Sequence, residues 1–205
     1  MFKEEAHWIR TVLTGLQLKG CTAVNLGAST AEFRKIVQPH IHQEVIEPLE
    51  RRGVSITHVD IKKAEGVDIV ADITSADFPR QICRQFDLAL CTNMLEHVSD
   101  IPMVLRNVIS VVKSGGYILL TVPRRYPLHF DPIDNGFRPT PNKLASLVLE
   151  QTRGYLLCGE VIVIKDPKYY SIKQSRFPIW GYRQRIRYHL GFYYQTTGIL
   201  IKKTE

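Results

Sequence analysis

No apolar run in the 205-residue chain is long enough to cross a membrane. Its first residues, Met1-Phe2-Lys3-Glu4-Glu5-Ala6-His7, carry acids where an export signal needs positive charge. Both absences predict a soluble, cytoplasmic protein. Repeats and low-complexity stretches are missing too, so the chain is expected to form a single domain over 1–205. Cysteine is scarce. Cys21, Cys83, Cys91 and Cys158 show no close-paired spacing, which predicts buried free thiols rather than a disulfide, and no metal. Glycine is missing where it would matter most. In "AVNLGAST", residues 23–30, an apolar strand runs into a turn and a helix, as in nucleotide-binding α/β folds, but only Gly27 stands where a phosphate loop wants three glycines. A nicotinamide dinucleotide is thereby disfavoured.

Excess charge of either sign is also absent from most of the chain. Residues 1–150 balance 17 Lys+Arg against 17 Asp+Glu, while residues 151–205 hold 10 against 3. In that tail the bases interleave with Tyr169, Tyr170, Phe177, Trp180, Tyr182, Tyr188, Phe192, Tyr193 and Tyr194. Such a mixture suits an anionic partner, the surface of a membrane or nucleic acid. The simpler alternative is a solvated basic helix whose aromatics pack on the core.

Apolar residues at helical spacing (Ala6, Ile9, Val12, Leu13, Leu16) predict a leading helix over 3–18, ended by Lys19-Gly20. Strands and helices then alternate: a strand Thr22–Leu26, a helix from about Thr30, a helix Ile41–Arg52 and a strand Val54–Val59. The series continues with strands Val67–Val70 and Phe86–Cys91, a helix Ile101–Val112, a turn at Ser114-Gly115-Gly116 and a strand Tyr117–Val122. This alternation predicts an α/β fold, a doubly wound, mostly parallel sheet that binds ligands at the carboxyl ends of its strands. Two late strands, Tyr155–Ile164 and Gly198–Lys202, predict a closing antiparallel hairpin. The basic aromatic stretch 165–195 is then an insertion before the last strand, helical around Tyr182–Tyr188.

Acids stand at the ends of successive strands. Asp60 ends "VSITHVD", where one carboxylate can accept both hydroxyls of a ribose. Asp72 in "VDIVADI" is placed to accept from an exocyclic amino group, and Asn93 and Met94 follow the fourth strand in "LALCTNMLEHV". Singly, such residues are commonly caps and turns; in series they favour a nucleoside site.

With these motifs in order, the chain resembles the class I S-adenosylmethionine-dependent methyltransferases, type-11 group. "VNLGAST" stands for the glycine motif, "HVD" and "VADI" for the ribose and adenine acids, "NMLEHV" for the motif after the fourth strand, and "VVKSGGYILLTVP" for the fifth. The resemblance covers roughly residues 20–150. It implies a Rossmann-like fold and an S-adenosyl-L-methionine site built from Asn25, Gly27, Ala28, Asp60, Ile61, Asp72, Ile73, Asn93 and Met94. Because this cofactor carries no phosphate, one glycine suffices for the close approach. The chain departs from the pattern at Asn25, where the family usually has an acid, and at Ser29, where it has a second glycine. Losing a charge-assisted hydrogen bond at Asn25 would cost roughly 1.5–3 kcal/mol.

After the fifth strand, "VPRRYPLHFDPIDNGFRPTPNKLASLV" reads as a proline-stiffened loop leading to a helix capped by Thr140, with Pro141 in its first turn. In the related enzymes such a loop lies beside the substrate. Asp131, Asp134 and Arg138 are its candidate substrate contacts, His129 is the first candidate base, and His97 the second. The expected reaction is methyl transfer to an oxygen or nitrogen of a small molecule or saccharide. A binding protein that kept the fold and lost turnover is the nearest alternative. Third comes a nucleic-acid methyltransferase, disfavoured because "NMLE" replaces the Asn/Asp-Pro-Pro-Tyr type of motif. The tail implies contact with an anionic surface and hence a position peripheral to a membrane; the oligomeric state is unknown.

Overall fold

In a computed structural model, residues 1–129, 133–170 and 185–205 are described. Asp131, Phe177, Trp180 and Tyr182 lie outside these residues. The leading helix, α1 (Lys3–Thr14), buries Ala6, Ile9 and Leu13 on one face, and β1 (Thr22–Leu26) follows. Where continuous helices were expected, the chain forms a broken series. A π-helical turn, Phe33–Val37, precedes α2 (Pro39–Ile41), and a second one, His42–Ile46, precedes α3 (Glu47–Arg51). Each wide turn comes just before Pro39 or Pro48, whose ring crowds the preceding turn and has no N–H to donate to it.

Next come β2 (Ser55–Asp60), the two-residue β3 (Ile69–Val70) and a short helix α4 (Phe78–Ile82) that the sequence pattern did not announce. They are followed by β4 (Phe86–Thr92) and α5 (Ile101–Ser110), whose first turn is capped by Asp100 accepting from the Met103 amide at 2.9 Å. β5 (Val112–Arg125) absorbs the expected glycine turn as an irregularity within the strand: Gly115 has φ +76°, and pairing with β4 shifts register between Phe86 and Leu88. α6 (Pro141–Leu149) begins where expected, with Thr140 accepting from the Lys143 amide at 3.2 Å. The chain closes with β6 (Gly154–Ile164) and β7 (Tyr194–Lys203).

Among the described residues, seven strands form one sheet in the order β3-β2-β1-β4-β5-β7-β6. The first five run parallel, and β7 inserts antiparallel between β5 and β6, as the hairpin reading required. Side-chain alternation divides the core between the two faces. Val24, Leu26, Ala89, Cys91, Ile118 and Leu120 join one cluster with α5 and α6, whereas Ala23, Leu88, Leu90 and Leu119 join α1 and α3 on the other.

One expectation changes. Of the four cysteines, all free, only Cys91 is buried; Cys83 is exposed in the left-handed cap of α4. In the tail, Tyr170 and Tyr194 are buried and stacked at 4.4 Å, and Tyr169, Tyr188 and Tyr193 pack against the core. The described tyrosines of this stretch therefore serve packing. Residues 185–189 are helical, in line with the expected helix.

Candidate cofactor and acceptor site

Five parallel strands bring their carboxyl ends to one edge of the sheet, and the sequence candidates collect there. Gly27 turns the chain out of β1 with φ +69°, a conformation that disfavours any side chain, while its amide and that of Ala28 both donate to the Val59 carbonyl (2.9 and 3.0 Å). Ser29, where the related enzymes have glycine, also adopts positive φ, +56°. Asp60 holds this turn: one carboxyl oxygen accepts from the Ser29 amide at 2.7 Å, the other from the Lys62 amide at 3.0 Å. Each oxygen has a second lone pair, so the carboxylate still has capacity for a ribose.

Arg34, a residue the motif reading passed over, lies buried beneath the loop. Its guanidinium donates to the carbonyls of Ala28, Ser29 and Gly66 at 2.9, 2.7 and 2.8 Å. Asn25 is buried on the strand and its amide nitrogen lies 3.3 Å from Nδ1 of His58 on β2. Burial, reinforced by the charge of Arg34, pushes the His58 imidazole down to about 4. The ring is neutral and Nδ1 accepts, which leaves the Asn25 carbonyl oxygen as a free acceptor.

The other cofactor candidates are placed unequally. Asp72 accepts from the amide and hydroxyl of Thr74 at 2.8 and 2.7 Å. Ile61 is exposed at the rim, and Ile73 is buried in the core. Asn93 has φ +49° and turns its amide inward, donating to Glu5 at 2.7 Å. Met94 lies on the glycine turn, its methyl carbon where a Cβ at Gly27 would meet it at 2.6 Å.

A second group of polar residues begins one residue further on. The single turn Leu95–His97 carries Glu96 and His97, and the loop after β5 brings His129 against them, the two imidazoles lying edge to face at 5.1 Å. His97 Nδ1 is 2.5 Å from the Ile133 carbonyl. Asp134 organises the loop. It accepts from the His129 and Gly136 amides, both at 2.9 Å, and from Arg138 at 2.6 Å. Burial alone would raise its carboxyl, but these donors outweigh it and hold the group well below the usual carboxylate range. Both Asp134 and Arg138 are thus engaged in shaping the loop, whereas His129 is half-buried with its pKa lowered by burial and by His97.

Two buried acids escaped the sequence reading. Glu5 on α1 accepts from Asn93 and from the Thr121 hydroxyl at 2.7 and 2.5 Å, joining the first helix to the end of β4 and to β5. Glu96 stood in a quoted motif, yet nothing in a string of letters shows that its side chain is wholly buried. Burial pushes its carboxyl up to about 8, with Glu5 adding to the effect.

A glycine turn after β1, an acid ending β2 and an acid after β3, all at one edge of a parallel sheet, define a protein of the Rossmann-like class built around a nucleoside cofactor. The family described as a methyltransferase domain matches residues 26–196, and the chain belongs to it, among the S-adenosylmethionine-dependent methyltransferases. A ubiquinone biosynthesis O-methyltransferase of Pseudomonas entomophila is 31% identical over 93 residues, which cover 40% of this chain and 40% of that protein. The chain thus matches well under half the length of such relatives. Among solved structures, coclaurine N-methyltransferase bound to N-methylheliamine and S-adenosylhomocysteine superposes with a TM-score of 0.59 at 15% identity, covering 98% of this chain and 72% of that one. The 1,6-didemethyltoxoflavin-N1-methyltransferase of Burkholderia thailandensis gives 0.57 at 13% identity, covering 99% and 78%. At these identities the two structures share the fold.

Proposed function

We propose that the protein transfers the methyl group of S-adenosylmethionine to an oxygen or nitrogen of a small molecule or saccharide. One observation carries this reading: residues 93–97 form a single short stretch with Met94 on the glycine turn at one end and His97 against His129 at the other. Gly27 and Asp60 would hold the cofactor, which supplies the electrophilic methyl group, and this short stretch links that turn to the two imidazoles. In-line displacement needs little from the protein beyond alignment and somewhere for the acceptor's proton to go. His129 and His97 are the groups on that side. Curated relatives named as O-methyltransferases and neighbours named as N-methyltransferases support a small acceptor and leave its atom open.

Asn25 and Ser29 support a second reading, a binding protein that keeps the fold without turnover. Calorimetric titration with S-adenosylhomocysteine, followed by assay of labelled methyl transfer to candidate acceptors, separates the two. One site is expected, weakened at least tenfold by Asp60→Ala, which removes the ribose acceptor and loosens the Ser29 turn together. An unchanged affinity in the variant removes Asp60 from the site. Tight binding with no transfer to any acceptor favours the second reading.

A further inference from the structure

Glu96 is left without a role in the reading above. Its side chain is fully buried and, among the described residues, neither carboxyl oxygen has a hydrogen-bond partner, an arrangement that cores avoid. Glu5 and Asp134 both oppose charge on it, and Arg138, the cation that acts on it, is bonded to Asp134 instead. An apolar side chain would pack at this position without such cost.

Among the described residues the groups that face it are imidazoles, and Arg138 acts on it without bonding to it. The Ile133 carbonyl can only accept, so His97 carries a proton on Nδ1, while its other ring nitrogen, Nε2, lies 3.8 Å from Glu96 Oε1, too far for a hydrogen bond between them. A carbonyl that accepts from one ring N–H and leaves the other ring nitrogen to a ligand is the outer-shell arrangement of a metal-binding histidine. His129 completes the set. Its Nδ1 lies 3.1 Å from Asp134 but has no aligned hydrogen bond. One ligand atom each from Glu96, His97 and His129 fall within 4.8 Å of one another.

We propose that Glu96, His97 and His129 bind a divalent first-row transition-metal ion of the Zn²⁺ or Mn²⁺ type. Two imidazole nitrogens and one carboxylate oxygen suit such ions and leave coordination positions open. The present separations exceed those in a closed site with bonds of about 2.0–2.2 Å, so the side chains must draw in by about 1 Å. If the methyl-transfer reading holds, on which this further role rests, an open position would take the acceptor oxygen, orient it and favour loss of its proton to solvent, so that with metal bound the two imidazoles serve as ligands and not as the base. As the new oxygen–carbon bond forms, the sulfur–carbon bond breaks and its electron pair returns to sulfur as the neutral thioether. Sequence spacing hid the group because His129 comes from a different loop.

The test titrates metal-free protein with Mn²⁺, read by loss of the free-ion paramagnetic resonance signal, and with Zn²⁺ by calorimetry. One equivalent is expected to bind to the wild type, with affinity lowered at least tenfold in Glu96→Gln and in His129→Ala. Circular dichroism and S-adenosylhomocysteine titration check that each variant is folded; should Glu96→Gln fail to fold, His129→Ala on the loop decides alone. Absence of stoichiometric uptake by the wild type overturns the site, as does uptake unchanged in the folded variants. No acceptor enters the titration, so a protein that binds the cation yet transfers no methyl group retains the site and loses only the methyl-transfer reading.

Discussion

Ser29 shows how one residue can work against its own turn. At φ +56° its Cβ meets the backbone crowding that glycine escapes, and the Asp60 carboxylate holds it there by bonding its amide at 2.7 Å. Ser29→Gly is therefore expected to raise stability by about 0.5–1 kcal/mol, the strain relieved exceeding the extra freedom given to the unfolded chain. Removing the Cβ and hydroxyl beside the turn should also tighten S-adenosylhomocysteine. Urea denaturation measures the first effect and calorimetry the second; a less stable variant would show that the serine side chain itself holds the turn. At this scale the sequence exposes the departure from the family pattern, but neither the backbone angle nor the carboxylate that enforces it.

Among the elements, the sheet is tied at the end away from the site by Asp87 on β4. Its carboxylate accepts from the amide and hydroxyl of Thr22 on β1 at 2.7 and 2.8 Å and from Lys113 on β5 at 2.9 Å, linking three neighbouring strands. Burial alone would raise its pKa, but the Thr22 and Lys113 bonds prevail and lower it. A carboxylate whose folded pKa lies below its unfolded value stabilises the fold above the unfolded pKa, and that contribution fades as pH falls through the folded value. Asp87→Asn should thus cost about 1–2 kcal/mol at pH 7, and the gap from wild type should close as pH falls below about 4. A gap that persists at pH 2 would assign the effect to packing. Helices and strands were legible here because periodicity is local. The two π turns were not, since they arise where Pro39 and Pro48 meet tertiary demands on an otherwise helical stretch.

For the whole molecule, the uneven charge is the feature with consequences beyond the site. Residues 151–205 carry the entire net excess of base, and Arg185 and Arg187 stand beside the exposed Ile186, Leu190 and Phe192. Bases next to exposed apolar groups suit an anionic lipid surface. Binding to vesicles containing phosphatidylserine is expected at low salt, falling steeply as ionic strength approaches 0.5 M, where screening shortens to about 4 Å. Equal binding at both salt levels, or none at low salt, would remove the electrostatic contact.

Features that depend on neighbours along the chain follow from the amino-acid order alone: alternating strands and helices, the closing hairpin, the Thr140 cap, and acids at the ends of successive strands. Those acids were legible because a strand end is visible as the close of an apolar run. Which side chains are buried, and which meet across the fold, depends on how distant segments pack. Glu5 reaches Asn93 and Thr121 from a different helix, Arg34 laces the cofactor turn from beneath, and Glu96 lies buried between residues of two loops. A glutamate after a strand reads the same whether it faces water or core. Its burial is set by the packing of segments far apart in sequence, and with it the upward shift of its carboxyl pKa.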